Sequence, residues 1–289
     1  MFFALALTST IGYSLQNALL VRYARKMDGL SLAFYRNISF LITLLPLLAF
    51  SSAEEIELVL SHWRELVIAG ISGGVCLGLL FTSYRFISVG VSHTVGRASN
   101  TVLMTTAGIV LYGEVLPPLA FLLIALIVAA CIWLALQRVH SPHITQKLAL
   151  GITLSLASTL PLLATKIAIT DLSRMADPFT SAYFWEAAIA IATLTIILLR
   201  RLIFKKGLQH IPSKDVLGIA ACSSPTLVGS GCFALALSMG PVAIVSAVGS
   251  GSLFVTAFLA WYWYHEKLSR SQWAAMLLIV LAIVLLKFV

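Results

Sequence analysis

The fold class that the sequence predicts is an all-α integral membrane protein, with ten transmembrane helices forming two inverted five-helix repeats around a central cavity. Three observations predict it. Of the 289 residues, 60% are hydrophobic and only 10% charged, and the mean hydropathy is +1.00. Lipid is therefore the solvent for most of the chain. The apolar residues form about ten continuous runs, each of the roughly 20 residues that a membrane-crossing helix needs. They do not alternate with polar residues as barrel strands do. The third observation is an internal repeat.

Gly90 to Leu136 and Gly240 to Val289 follow one plan. Each glycine opens a long apolar run through small and hydroxylated residues. A short polar break carrying a Glu follows (Glu114, Glu266). Seven residues later an aromatic, Phe121 or Trp273, opens a second apolar run. The repeat divides the chain into units of residues 1–140 and 141–289.

Taken in order, span 1 covers Phe2–Tyr23, lacks a small-residue cleavage site and reads as a retained helix. Span 2, Leu30–Phe50, carries Arg36 and Asn37 in its first third, and an acidic, partly helical loop follows. Span 3, Leu66–Ile87, has Gly70, Gly74 and Gly78 on one helix face, where another helix packs closely. Spans 4 and 5 are Val91–Tyr112 and Leu116–Leu136, and Gln137–Lys147, with His140, Pro142 and His143, links the halves. Span 6, Leu148–Thr170, contains Pro161 and Lys166, and span 7, Phe179–Leu199, contains Glu186. Span 8, Asp215–Leu237, is interrupted by Pro225, and spans 9 and 10 are Pro241–Tyr264 and Ser271–Phe288. Pro161 and Pro225 lie deep in their spans, where a missing N–H kinks a helix and provides a hinge.

The front of each half aligns too: Tyr35–Arg36–Asn37 falls against Phe184–Trp185–Glu186. An odd number of spans per half makes the second copy enter the membrane upside down. Lys and Arg crowd one set of loops, including Arg22, Arg25, Lys26, Arg200, Arg201, Lys205 and Lys206, whereas the other side holds only Arg64, Arg174 and Lys287. The positive-inside rule makes the rich side cytoplasmic and places both termini outside. A bacterial inner (cell) membrane is the expected location.

The net charge of +8 is spread between spans, so it orients the protein and does not form a nucleic-acid patch. Cys76, Cys131, Cys222 and Cys232 all fall inside apolar runs without metal-ligand spacing. No cofactor and no nucleic-acid partner are expected. A small-molecule substrate and membrane lipid are, and nothing requires an oligomer.

Two five-span halves, each with a glycine-opened fourth span, a Glu at the turn and an aromatic opening the fifth, resemble the drug/metabolite transporter superfamily. The matching residues are Gly90, Gly113–Glu114 and Phe121 in the first half, and Gly240–Pro241, Glu266 and Gln272–Trp273 in the second. More narrowly, the chain is similar to the ten-helix EamA-like branch, of the YddG-like amino-acid and metabolite exporter type. The resemblance implies a secondary transporter with a cavity between its halves. Members commonly keep both termini cytoplasmic, whereas the charges here place them outside.

Ionisable residues at the bilayer centre cost at least about 2.5–3.5 kcal/mol each, which makes them functional candidates. Arg36, Arg97, Lys166 and Glu186 are such residues. Lys166 and Glu186 lie at similar depth, close enough to pair across neighbouring helices. Glu186, the acid deepest in a span, is the candidate for proton coupling or for holding a substrate cation. Arg36 and Arg97 suit a substrate carboxylate or phosphate. For each, a structural ion pair or a snorkelling side chain is the competing reading. Asn100 and Ser250 occupy matching positions in spans 4 and 9 and are expected on the cavity floor, with helix packing as the competing account.

These residues point to a secondary transporter of a small organic metabolite such as an amino acid, moved by alternating access between the repeats. A lipophilic cation or a phosphorylated metabolite is the alternative substrate. An intramembrane enzyme is remote: Gly249–Ser250–Gly251–Ser252 has only His93 deep enough to pair with it, and HExxH and DDxxD motifs are absent.

Overall fold

The computed structural model describes residues 1–24, 26–84, 86–87, 89–139, 146–264 and 269–288. Glu266 and the linker residues His140, Pro142 and His143 lie outside them. The first half contains α1 (Phe2–Ala24), α2 (Gly29–Thr43) continued by a 3-10 turn (Leu45–Phe50), the short α3 (Ala53–Ser61), α4 (Trp63–Ser83), α5 (Val89–Tyr112) and α6 (Pro118–Val139). The second contains α7 (Gln146–Ala157), α8 (Thr159–Met175), α9 (Pro178–Phe204), α10 (Ser213–Ser223), α11 (Thr226–Met239), α12 (Val242–Gly249), α13 (Ser252–Tyr264) and α14 (Arg270–Leu286). No strand occurs among the described residues.

Six described stretches are long and apolar enough to cross a bilayer: Gly29–Ala49, Trp63–Ser83, Ala149–Met175, Pro178–Phe204, Ser213–Met239 and Val242–Trp263. Pro118–Leu134 and Arg270–Leu286 are shorter apolar helices. Helices α1 and α5, with 23 and 24 residues, are long but more polar. They bury that polarity: Ser9, Thr10, Ser14 and Gln16 on α1, and Ser92, Thr94, Asn100 and Thr101 on α5, are shielded within the protein. Large apolar side chains such as Ile191, Leu202 and Leu217 face outward instead, as a lipid-facing surface requires.

Several spans are broken, and the chemistry of each break is local. Pro225 stands at the N-cap of α11 and Pro161 in the first turn of α8, where a missing N–H leaves no intrahelical bond unmade. The break between α12 and α13 has no proline. There the chain tightens through Ser250 N–H to Ala247 O (3.0 Å) and Gly251 N–H to Val248 O (2.9 Å). The sequence predicts one continuous span there, because apolarity does not lapse; the flanking glycines interrupt the helix all the same. The acidic loop forms α3, started by a capping box between Ser52 and Glu55.

The packing has the symmetry of the sequence. Helix α1 packs on α11 while α8 packs on α4, and α2 packs on α4 while α9 packs on α11. Helices α2 with α9, α5 with α12 and α6 with α14 meet their own counterparts. That swapped pattern is what a two-fold axis between the repeats produces. Glycines set the closest approaches. A Cβ on Gly12 of α1 would come 2.9 Å from the Pro225 carbonyl oxygen. One on Gly70 would lie 2.7 Å from the Ala188 carbonyl oxygen, one on Gly74 3.2 Å from Thr193 Oγ1, and one on Gly78 2.6 Å from a Leu30 methyl. The glycine face of α4 is thus shared between α9 and α2.

Candidate functional site

A cavity of about 180 Å³ lies between the repeats, walled by α1, α2, α4 and α5 from the first half and α8, α9, α11 and α12 from the second. Arg36, Arg97, Lys166 and Glu186 all line it. Asn100 and Ser250 do not, so the expected cavity floor is corrected. The Asn100 amide donates to Ser246 Oγ (3.0 Å), and the Thr101 and Ser250 hydroxyls share a hydrogen bond of 2.8 Å. Helix α5 packs directly on α12, so these polar groups bond across that contact instead of facing the cavity.

Glu186 sits on the buried side of α9. Ser230 Oγ donates to Glu186 Oε1 (3.0 Å) and shares a 2.8 Å hydrogen bond with the Tyr13 hydroxyl. Oε2 faces Arg36 Nη1 at 3.7 Å, with no hydrogen-bond partner among the described residues. Arg36 in turn donates to Asn37 Oδ1 (2.5 Å) and lies 4.5 Å from the Phe40 ring centre. The expected Lys166–Glu186 pair is therefore corrected: the partner of Glu186 is Arg36, because α2 and α9 are two-fold mates in direct contact. Lys166 Nζ instead stands 5.3 Å from the Phe233 ring centre, a cation–π distance.

Arg97 reaches the cavity beside the α12–α13 break, where a Cβ on Gly249 would come within 3.4 Å of its Nη1. Neither Arg97 nor Lys166 makes a salt bridge among the described residues. Two further polar groups in the wall were not singled out by the sequence. Gln16 is fully buried, and among the described residues neither its side-chain polar atoms nor the Trp185 indole N–H has a hydrogen-bond partner. Their signal lay in position: Gln16 is one residue from Asn17 on a helix too polar for lipid, and Trp185 is beside Glu186. His93 also lines the wall, but its Nε2 is engaged by the Tyr84 hydroxyl at 2.8 Å.

One end of the molecule is fastened across the repeats. Gly113 takes a left-handed φ of 62° after α5, a turn that suits glycine. Glu114 then reaches the start of α12 and accepts from Val242 N–H (2.5 Å) and Ala243 N–H (3.1 Å). Arg174 at the end of α8 faces the same carboxylate at 3.8 Å and donates to the Leu237 and Gly240 carbonyls at 3.2 and 3.3 Å. It also lies 4.7 Å from the ring centre of Tyr112, whose hydroxyl donates to Asp171 (2.8 Å).

The EamA-like transporter family model matches residues 2–136 and again residues 147–288. The chain belongs to the EamA-like transporter family. It is accordingly a membrane transporter of the drug/metabolite transporter superfamily and not an enzyme. A solved structure described as "Crystal structure of protein" shares the fold, with a TM-score of 0.69 over 97% of this chain and 96% of that chain at 14% identity. No curated protein matches.

The opposite end of this EamA-like transporter is held differently. Arg200 at the end of α9 binds the Asp28 carboxylate (2.9 Å) at the N-cap of α2. The following loop is tied in by Gln209, whose N–H donates to Ser31 Oγ (3.0 Å) and whose side-chain carbonyl accepts from Asp28 N–H (2.8 Å). Burial alone would raise the Asp28 pKa. Hydrogen bonds from the Ser31 hydroxyl, Arg200 and the Ser31 N–H outweigh that, and the carboxyl lies below its ordinary 3.8.

Proposed function

We propose that the chain is a ten-span secondary transporter of the inner membrane that moves a small organic metabolite by alternating access between two inverted repeats. Adding α1 and α5 to the six long spans and two shorter apolar helices gives the ten. The observation that carries this reading is the shared cavity: both repeats wall it, and each contributes ionisable side chains to its lining. Such a site, between repeats and flanked by interrupted helices, is where alternating-access transporters bind substrate. Export is the direction that the resemblance favours, and both termini outside is the orientation that the loop charges favour against it.

An acid-bearing metabolite, an amino acid among them, suits this cavity better than a lipophilic cation. The acid that would hold a cation, Glu186, already faces Arg36 at 3.7 Å. Glu186 remains the coupling candidate, since it lines the cavity and its Oε2 has no hydrogen-bond partner among the described residues. The test is uptake of labelled metabolites into proteoliposomes with and without a pH gradient. Uptake above that of empty liposomes supports the reading, and a Glu186→Gln protein should lose the pH dependence. An unaltered pH profile in that variant would make Glu186 purely structural.

A further inference from the structure

We propose that the cavity selects a small organic anion with two acidic groups, of which a dicarboxylate is the simplest, held between Arg97 and Lys166. The inference rests on the transporter reading above and narrows its substrate.

Charge balance is the first argument. Among the described residues, three cationic side chains and one acid line the cavity. The Arg36–Glu186 pair cancels itself at 3.7 Å. Arg97 and Lys166 are left without a carboxylate among the described residues. Two unmatched cations deep in a membrane protein are costly, and a ligand with two negative charges removes that cost. A zwitterion brings an ammonium group for which the cavity keeps no unengaged acid. A quaternary amine brings only repulsion.

The neutral groups point the same way. The Trp185 N–H and the Gln16 amide N–H, in the wall of the same cavity, are buried donors without acceptors among the described residues. Acceptor-rich acid groups satisfy both, and leaving such donors unpaired carries a desolvation cost. The two cations also come from different repeats, Arg97 on α5 and Lys166 on α8. A two-headed anion bridges them, so binding draws the repeats together. A single acid group engages one side only.

The experiment measures binding of succinate, butyrate, alanine and choline to the purified full-length protein by calorimetry, then counterflow of the tightest binder in proteoliposomes. Succinate is expected to bind at least about tenfold tighter than the other three. Arg97→Gln and Lys166→Gln should each cut succinate affinity by about the same factor, while Arg97→Lys and Lys166→Arg retain most of it. Those conservative variants separate lost charge from lost folding. Tighter binding of alanine or choline, succinate affinity indifferent to both Gln variants, or no succinate binding at millimolar concentration each overturns the inference. Counterflow of alanine in the first of those cases would leave the transporter reading standing. Succinate that binds without being moved would instead sink that reading and keep the site.

Discussion

The Glu114 carboxylate of the first repeat caps the second: it accepts the N–H of Val242, at 2.5 Å, where α12 begins. Helix starts leave N–H groups without intrahelical partners and favour negative charge, so this contact joins two repeats through a need of the backbone itself. Replacing Glu114 with Ala is expected to cost about 1–3 kcal/mol, read as a lower unfolding midpoint in detergent. Gln retains one carbonyl acceptor and should cost less. Equal losses for Ala and Gln would show that charge, facing Arg174, matters more than the cap.

The Arg36–Glu186 pair lends itself to a double-mutant cycle. Arg36→Gln leaves a buried carboxylate to which, among the described residues, only Ser230 donates, and is expected to cost about 3–5 kcal/mol. Adding Glu186→Gln should recover much of that. Additive effects would mean that the 3.7 Å approach carries no coupling.

At the other end, Asp28 supplies a pH signature. Its pKa is depressed in the folded protein, so the unfolded chain takes up a proton first as pH falls. The stability Asp28 contributes is complete above its ordinary 3.8 and is lost as pH falls through the lower, folded value. Asp28→Asn loses the ion pair with Arg200 and should therefore cost up to about 1 kcal/mol at neutral pH. The gap from the parent should close in acid, as unfolding at a series of pH values would reveal. A gap independent of pH would assign the loss to the cap's shape and not its charge.

Asn100→Ala and Ser250→Ala should each lower stability by about 1 kcal/mol and leave substrate affinity unchanged, since both residues bond within the α5–α12 contact. A weakened dissociation constant in a stably folded variant would return them to the cavity.

Gly70→Leu puts a side chain where a Cβ already falls 2.7 Å from the Ala188 carbonyl oxygen. It should force α4 from α9 and cost about 1–3 kcal/mol or more, against a milder Gly70→Ala. Thermal unfolding of the two variants ranks them, and a neutral Leu would show that the helices have room to part.

Apolar runs made the helices legible, because a bilayer imposes a length and a composition that read directly from residues. The interruption at Gly249–Gly251 was not legible, since its residues stay apolar or small while the backbone turns. Arg36, Arg97, Lys166 and Glu186 stood out because charge is rare in lipid. Their pairing did not, although the alignment of Tyr35–Arg36–Asn37 with Phe184–Trp185–Glu186 held the clue. Residues at matched positions on two helices that meet at a two-fold axis lie near each other. The same logic hid Asn100 and Ser250 in an interface. The reach of Glu114 to α12 depends on tertiary geometry that no local pattern encodes.

The near-contact of Gly12 with Pro225 has a consequence for synthesis. Helix α1 is made before α11, the neighbour it packs on most, which starts at Thr226, some 200 residues later. Until then Ser9, Thr10, Ser14 and Gln16 have no protein surface from the second half to shield them, and bare hydrocarbon is a poor host for such groups. The ribosome-bound chain must therefore be sheltered at its site of insertion until the later helices arrive. A fragment ending at the linker would lack most of the surface on which its first helix docks.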